Sequence, residues 1–375
     1  MDEVCASSRT QPSSPKAASA RREAEAAFGD DTVFLERWVH PARYVEIQII
    51  GDRFGNLVHL FERECSLQRR HQKILEEAPS PALDDELRAS MAQAAIQAAR
   101  AIGYASLGTV EFVLDTEGGF WFLEMNTRLQ VEHPVTEAIC GVDLVREQIA
   151  LAEGRHLSFS QADLARCGHA IEVRIYAEDP AQDFLPQAGT LVDWWVPIEP
   201  GVRVDAGVAA GARIGTAFDP LLAKVVAHAA TREDAARLLA GVLRRARIRG
   251  VRTNRELLVA VLEHARFLAG DTTTDFLATT ALARSTTPDP SLLAEAGAVA
   301  ALWERDEERA RLNPPLAALP LGWTNAILPP RRRSYLAGET TVELEYQPAG
   351  DGEILVGKQR YRLALREGNE VAYAR

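Results

Sequence analysis

The chain has 375 residues and a formal net charge of −11, and 47% of its residues are hydrophobic. This composition is typical of a globular protein with room for two or three domains, and its acidity argues against sequence-independent binding of nucleic acid. The four cysteines form no CxxC pair, which argues against a zinc or disulfide framework. No apolar run approaches the ~20 residues that cross a membrane. We therefore expect a cytoplasmic protein with no nucleic-acid or membrane partner.

Residues 1–18 are rich in Ser, Pro and Ala and show no apolar period, so we interpret them as a disordered head. Strand and helix patterns then alternate through the next segment of the chain. The predicted elements are strands at 44–50 and 56–62, a helix at 84–102, a hairpin formed by 109–114 and 120–124, and a helix at 135–153.

A second group of elements begins with a predicted strand at 169–176 and continues with several short strands. Helices are expected at 232–248, after an N-cap at Thr231, and at 255–269, after an N-cap at Asn254. Residues 285–334 carry an Ala-rich helix and a Pro-rich stretch, which indicates a linker. Residues 335–375 alternate as β-strands do, and we expect them to form a partial all-β segment with an uncovered apolar face. Deletion from Arg331 onward should therefore leave the core intact and improve the solubility of the chain.

Glu111 and Glu124 are the first candidates for chemistry. If the hairpin turn is centred on Glu117 and Gly118, the two glutamates face each other across the strands, with Cβ atoms ~4.5–5.5 Å apart. Two such carboxylates repel each other unless a cation joins them, and hard oxygen ligands suit Mg²⁺. Asn126 lies on the same strand face and could add a ligand. The alternative is a solvent-facing hairpin that happens to carry two glutamates.

The segment that follows the hairpin could bind a small oxyanion such as bicarbonate. Arg128 offers a planar guanidinium fork, and Gln130 and the backbone N–H of Val131 can add donors. Glu132 is a carboxylate near this anion site and could act as a general base. A basic cluster lies upstream and consists of Arg69, Arg70 and Lys73. It is either solvated surface, on which Lys73 pairs with Glu77 at i,i+4 spacing, or a group of cations that attracts the phosphates of ATP.

Two long motifs carry a family resemblance. The run FLEMNTRLQVEHPVTE, Phe122–Glu137, resembles the signature of biotin carboxylases, which are ATP-grasp enzymes, and ERECSLQRRHQKILEEAPSP, Glu62–Pro81, resembles a second signature of that family. The resemblance implies an α+β fold. It assigns 19–160 to a partial ATP-grasp domain and 161–284 to a biotin carboxylase C-terminal domain.

The same resemblance implies roles for individual residues. Mg²⁺ (or Mn²⁺) and the ATP phosphates would be held by Glu111, Glu124 and Asn126. Bicarbonate would be bound by Arg128, Gln130 and Val131 and deprotonated by Glu132. The nucleotide would contact Gln68 and His71, with adenine at the hinge formed by Glu36, Arg37 and Val39. The biotin enolate would be stabilised by Arg203, with Asp219 nearby. Tyr44 departs from the family, which commonly has a histidine near the nucleotide at this position.

The implied activity is the ATP- and bicarbonate-dependent carboxylation of biotin in an acyl-CoA carboxylase α-subunit of the methylcrotonyl or propionyl type. Biotin would be attached to a separate carrier domain, because no methionine of this chain is followed by lysine. The expected partners are that carrier domain, a carboxyltransferase subunit and a second copy of the chain. No Gly-rich lid precedes residue 19, so we expect impaired activity. The alternatives are a non-catalytic fragment that keeps a dimer surface or a weak ligand site, and another ATP-grasp ligase.

Overall fold

The computed structural model describes residues 15–34, 38–282, 289–311, 329–337, 340–349, 353–367 and 370–374. The chain divides into two compact units, Met1–Ser285 and Thr286–Arg375. No helix within these described ranges is both long and apolar enough to span a membrane.

An eight-stranded antiparallel sheet organises the first unit. Its strand order is β11-β13-β6-β3-β2-β1-β4-β5, so strands from both predicted domains, 19–160 and 161–284, pair within one sheet. The strands of this unit are β1 Ala42–Gly51, β2 Leu57–Arg69, β3 Gln72–Ala78, β4 Ser106–Asp115, β5 Phe120–Asn126, β6 His169–Tyr176, β7 Glu178–Asp179, β8 Leu185–Pro186, β9 Gly189–Thr190, β10 Asp193–Trp195, β11 Val202–Ala206, β12 Arg213–Ile214, β13 Leu221–Ala229 and β14 Arg247–Arg249.

Helices cover both faces of this sheet. On one face, α2 packs on β1 and β4 around Met91, and α5 and α6 pack on β6 and β13 around Leu239 and Leu258. On the other face, α3 packs on β2, β3, β6 and β13. The helices of the first unit are α1 Pro15–Phe28, α2 Asp85–Ala101, α3 His133–Cys140, α4 Leu144–Ala152, α5 Arg232–Arg245, α6 Arg255–Glu263, α7 Ala265–Leu268 and α8 Phe276–Thr279.

Strand alternation gives the sheet one polar face. In β1, Val45, Ile47 and Ile49 belong to the core under α2, so the intervening Glu46 and Gln48 point to the opposite face. The register with β4 places polar residues on the same face of that strand, because Glu46 lies opposite Glu111 and Gln48 lies opposite Thr109. Because all four side chains are buried, a set of polar groups is enclosed on this side of the sheet, and the site is built there.

Several predicted elements are confirmed and others are corrected. The helix predicted at 84–102 is α2, whose first turn is capped by Asp84. The single helix predicted at 135–153 is wrong, because Gly141 takes a left-handed conformation and ends α3 before α4 begins. Thr231 caps α5 as predicted. Of the head predicted as disordered, residues 1–14 lie outside the described residues, and residues 15–18 instead form the start of α1.

Asn254 precedes α6, but the N-cap role predicted for its side chain is wrong. The side chain forms no cap hydrogen bond. It is fully buried and bonds the backbone of β6 instead, accepting from the N–H of Tyr176 at 2.9 Å and donating to the carbonyl of Arg174 at 3.0 Å. The predicted position is right, but the amide forms two tertiary hydrogen bonds in place of the cap bond.

The second unit is a five-stranded antiparallel sheet with one helix on it. Its strands run in chain order, and Leu344 and Tyr346 are buried while Glu343 and Glu345 are exposed, as the alternation predicted. The apolar face is covered by the helix from the segment expected to be a linker. The elements are α9 Pro290–Ala310, β15 Arg331–Ala337, β16 Thr340–Pro348, β17 Glu353–Val356, β18 Gln359–Glu367 and β19 Glu370–Ala374.

The position of α9 changes the expected effect of shortening the chain. Ala298, Ala301 and Leu302 of α9 are buried with the apolar residues of the second sheet. Deletion from Arg331 onward should therefore expose them and increase aggregation, whereas deletion from Thr286 onward removes the whole unit and should not. Light scattering and thermal melting of the two shortened chains test this. Lower aggregation for the Arg331 deletion than for the Thr286 deletion would contradict it.

Candidate functional site

The hairpin of β4 and β5 brings the two predicted metal carboxylates together. Glu111 lies directly opposite Glu124, and Thr109 lies opposite Asn126, so the predicted register is confirmed at these pairs. A bulge separates Glu111 from Phe112, and beyond it the pairing is offset by one residue. The real turn is therefore not the symmetric one assumed from the sequence, although the functional end of the hairpin is as expected.

Asn126 lies between the two carboxylates. Its amide nitrogen is 2.8 Å from Oε1 of Glu111 and 3.3 Å from Oε1 of Glu124. Because one nitrogen reaches both oxygens, the carboxylates are well inside the ~8 Å over which a shared or bridged cation could join them. Two carboxylates at this spacing form a hard oxygen donor set, which fits Mg²⁺ or Mn²⁺. Asn126 turns its amide nitrogen toward them, so its oxygen would join the set after rotation of the side-chain amide.

The pKa of Glu111 is shifted in the direction expected for a carboxylate that faces another carboxylate. Burial raises the pKa of Glu111 to about 8, and the nearby Glu124 carboxylate adds to the effect. A divalent cation would remove this repulsion and favour the ionised form. Without a cation, protonated Glu111 stabilises the folded chain. This contribution is fully present when the pH is below the ordinary carboxyl pKa, and it is lost as the pH rises through about 8.

Glu132 lies at the start of α3, where Pro134 favours the first helical turn. Its carboxylate is almost fully buried between two cations. Oε1 is 2.6 Å from Nζ of Lys73, and Oε2 is 2.9 Å from a guanidinium nitrogen of Arg174. The predicted general base is therefore held from both sides by residues of β3 and β6.

The two cations determine the protonation state of Glu132. Burial alone would raise the pKa of this carboxyl, but attraction to Lys73, Arg174 and Arg63 outweighs burial and holds the pKa well below its ordinary range. Glu132 is thus ionised at neutral pH. The stability that it contributes is present above its ordinary pKa and is lost as the pH falls through the lowered value.

A second layer of charge holds the two cations. Lys73 also contacts Glu46 at 2.6 Å, and Glu46 in turn accepts from the fully buried guanidinium of Arg63. Arg174 also contacts Glu76 at 2.6 Å. Each charge in this group therefore has at least one opposite neighbour, as buried ions require. We call Glu46, Arg63, Lys73, Glu76, Glu132 and Arg174 the buried ion network.

The predicted anion-binding residues follow the hairpin in the chain and precede Glu132. Arg128 is exposed and donates to Oε1 of Gln130 at 2.7 Å, and Gln130 donates to Oε1 of Glu111 at 3.0 Å. The backbone carbonyl of Val131 accepts from Nζ of Lys224 at 2.6 Å. A single chain of hydrogen bonds thus links the guanidinium of Arg128 to Glu111, the predicted metal ligand.

Arg203 lies on β11 and joins this region through charged neighbours. It contacts Glu137 of α3 at 2.6 Å and Asp205 at 2.9 Å, and Asp205 is 3.5 Å from Lys224. Asp219 accepts from the backbone N–H of Leu221 in its own turn. Among the described residues, no hydrogen bond or ion pair joins Asp219 to Glu111 or Glu132.

The residues assigned to the nucleotide are less closely connected. Gln68 donates to the carbonyl of Cys65 at 3.0 Å, and His71 is exposed in the turn between β2 and β3. Val39 is half-buried ahead of β1. Glu36 and Arg37 lie outside the described residues. The assignment of these five residues to ATP stays a prediction.

The proposed pairing of Lys73 with Glu77 is wrong. Both residues lie on the strand β3, not on a helix, so the i,i+4 spacing does not bring their side chains together. Glu77 is paired with His169 and Arg232. Arg69 and Arg70 form separate pairs with Glu178 and Asp183. The three basic residues are therefore not one surface cluster, and Lys73 belongs to the site.

The sequence did not indicate Arg174 or Glu46 as part of this site, and it left Lys73 open between solvated surface and an attraction for phosphate. A signal was present in β6, where Glu172 and Arg174 occur two residues apart within an otherwise apolar strand. Charges spaced by two in a strand predicted to be buried indicate an enclosed polar face. For Lys73 the sequence indicated only a basic cluster with Arg69 and Arg70, and it did not indicate that Glu46 and Glu132 are its partners.

Comparison with known proteins agrees with this geometry. Residues 8–160 match the ATP binding domain of the carbamoyl-phosphate synthase L chain, and residues 172–279 match the biotin carboxylase C-terminal domain. Biotin carboxylase 2 of Bacillus subtilis (strain 168) is 49% identical over 257 residues, which make up 68% of this chain and 58% of that protein. The mitochondrial methylcrotonoyl-CoA carboxylase subunit alpha of Rattus norvegicus is 48% identical over 69% of this chain and 36% of its own length.

A solved structure extends the comparison to the fold. It is the biotin carboxylase domain dimer of Hydrogenobacter thermophilus 2-oxoglutarate carboxylase in complex with MgADP and bicarbonate. It has a TM-score of 0.67 and 42% identity, and the match covers 70% of this chain and 58% of that one. The chain therefore spans less than two thirds of the length of these relatives.

The first unit is thus an ATP-grasp protein with the α+β fold that the motifs implied. Its C-terminal part carries the biotin carboxylase C-terminal domain, and an all-β sheet segment follows. The chain thus carries both domains of a biotin carboxylase site region and is similar to biotin carboxylases and to the alpha subunits of methylcrotonoyl- and propionyl-CoA carboxylases. The domain boundaries predicted from the sequence stay predictions.

The buried ion network predicts a large cost for removing its central cation. Lys73→Met leaves Glu46 and Glu132 buried without that partner, so we expect the free energy of unfolding to fall by about 3 kcal/mol. Arg70→Met breaks the exposed pair with Asp183 and should cost at most about 1 kcal/mol. Urea unfolding at pH 7 measures both. Similar losses for the two variants would contradict the network.

Proposed function

We propose that this chain supplies the bicarbonate and metal part of a biotin carboxylase site, for the ATP- and bicarbonate-dependent carboxylation of biotin. The observation that carries the proposal is the position of Glu132. An ionised carboxylate is held between Lys73 and Arg174, and Lys73 also lies 3.5 Å from Glu111 of the facing carboxylate pair. An anion-binding segment with a base and a metal donor set suits phosphoryl transfer to a small oxyanion.

In this proposal each residue has a defined task. Arg128, Gln130 and the backbone of Val131 bind bicarbonate, and Glu132 accepts its proton. Glu111, Glu124 and Asn126 hold Mg²⁺ or Mn²⁺. The cation, when bound, would neutralise charge on the ATP phosphates. ATP would also contact Glu36, Arg37, Val39, Gln68 and His71. Biotin would contact Arg203 and Asp219.

The low pKa of Glu132 requires an explanation, because a weakly basic carboxylate is a poor proton acceptor. The cause of the low value is attraction to cations, chiefly Lys73 and Arg174. A bound bicarbonate would share these cations with Glu132 and thereby raise its pKa. The base would thus stay ionised in the empty site and become more basic when its substrate arrives.

The partners follow from the same reaction. Biotin would reach the site on a separate carrier domain, and a carboxyltransferase subunit would use the product, as in the acyl-CoA carboxylases to which the chain is similar. The H. thermophilus domain is a dimer, and we propose that this chain also forms a homodimer. A cytoplasmic location is part of the same proposal.

Two other functions compete with this one. A non-catalytic chain would need neither the facing carboxylates nor an ionised base, yet both occur together here. Another ATP-grasp ligase would agree with the match over residues 8–160 but not with the C-terminal match over residues 172–279. The biotin carboxylase function therefore accounts for more of the chain.

A chimera tests the function in a complete protein. Residues 38–282 of this chain would replace the matching segment of B. subtilis biotin carboxylase 2, and ATP hydrolysis would be measured with Mg²⁺, biotin and bicarbonate. We expect bicarbonate-dependent turnover, which falls at least about 100-fold in Glu132→Gln because a general base is lost. The control, Glu147→Gln, changes a half-buried carboxylate of α4 that bonds Ser158 and should leave the rate unchanged.

The outcome separates catalysis from the non-catalytic alternative. A chimera that melts cooperatively but shows no bicarbonate-dependent turnover would contradict the proposal. Turnover that is the same with and without Glu132→Gln would contradict the role given to that residue.

A further inference from the structure

Tyr44 stands where the family commonly has a histidine, and it contacts two parts of the site. Its hydroxyl donates to Oε2 of Glu111. The ammonium of Lys73 lies over its ring, 5.0 Å from the ring centre. A tyrosine thus touches both the metal carboxylate and the central cation of the buried ion network.

Sheet register explains how one side chain reaches both. Tyr44 lies opposite Val113 on the neighbouring strand β4, while Glu46 lies opposite Glu111. Tyr44 and Glu111 are therefore diagonal neighbours on one face of the sheet, a separation that aromatic side chains can bridge. The backbone N–H of Tyr44 donates to Oγ of Ser66 on β2 at 2.8 Å, which ties its strand position to the next strand.

The two oxygens of Glu111 have different neighbours. Oε1 accepts from Asn126 at 2.8 Å and from Gln130 at 3.0 Å, and the same Asn126 nitrogen reaches Glu124. Oε1 is thus the oxygen on the side where a cation would be shared with Glu124. Oε2 is the oxygen that Tyr44 holds. The phenol therefore orients the carboxylate through the oxygen that Asn126 and Gln130 do not contact.

We propose that Tyr44 is a positioning residue that fixes Glu111 for divalent-cation binding and connects that carboxylate to Lys73. The proposal rests on the metal site of the proposed function. A donor that orients a metal ligand commonly changes metal affinity 10- to 100-fold when it is removed, because the ligand must then be ordered as the metal binds. A shorter imidazole at this position would not offer the same phenol hydroxyl to Oε2.

The experiment is Mn²⁺ binding to the full chain, followed by the electron paramagnetic resonance signal of free Mn²⁺. Tyr44→Phe removes the hydroxyl and keeps the ring, and we expect it to weaken Mn²⁺ binding about tenfold. The matched control is Tyr104→Phe, since the Tyr104 hydroxyl donates only to the backbone carbonyl of Leu107, at 2.8 Å. This control should bind Mn²⁺ as the unchanged chain does.

Glu124→Gln and thermal melting separate the possible failures. If the unchanged chain shows no Mn²⁺ binding that Glu124→Gln weakens, both the metal site and the role of Tyr44 are overturned. If such binding exists but Tyr44→Phe binds Mn²⁺ equally or more tightly, only the role of Tyr44 is overturned. A lower melting temperature for Tyr44→Phe with unchanged Mn²⁺ affinity would show a purely structural tyrosine and would also overturn it.

Discussion

The interaction between Glu132 and its two cations is the constraint on which the rest of the site depends. A carboxylate buried this completely would ordinarily take up a proton, because the charged form loses its hydration. Lys73 and Arg174 prevent this, and both must themselves be balanced by Glu46 and Glu76. The six groups form one chain of ion pairs, Arg63–Glu46–Lys73–Glu132–Arg174–Glu76. Removal of Glu46 would leave Arg63, and removal of Arg174 would leave Glu76, without an opposite charge from this network in a low-dielectric region.

The continuous sheet is what makes that assembly possible. Lys73 comes from β3, Arg174 from β6, Glu46 from β1 and Arg63 from β2, and these four strands are adjacent in the order β6-β3-β2-β1. Alternation places their charged side chains on one face while the opposite face packs against α2, α5 and α6. The predicted domains 19–160 and 161–284 are separate in the sequence, but strand β3 of the first pairs with strand β6 of the second. The first contributes Lys73 and the second Arg174 to Glu132.

Much of the site was predictable because it is local in sequence. Glu111, Glu124 and Asn126 are related by one hairpin, and Arg128 to Glu132 follow directly, so register and spacing were sufficient. Contacts between distant strands were not predictable in this way. Arg174 lies 42 residues from Glu132, and nothing in its spacing specifies which carboxylate it meets. Asn254 is a second example. Its position before α6 follows from the local sequence, but its hydrogen-bond partners on β6 are distant in the chain and could not be predicted. Cover of the C-terminal strands by α9 likewise depends on a long-range contact.

The charge state of Glu132 and Glu111 is the central claim of this account, and a carboxyl titration measures it directly. The chain would be labelled with ¹³C at the Glu carboxyl, metal-free, and followed by NMR across the pH range, with the two signals assigned by Glu132→Gln and Glu111→Gln. The account predicts that Glu132 titrates well below its ordinary range and Glu111 near a pKa of about 8. A Glu132 carboxyl that titrates at or above its ordinary value, or a Glu111 carboxyl that titrates at an ordinary one, would contradict it.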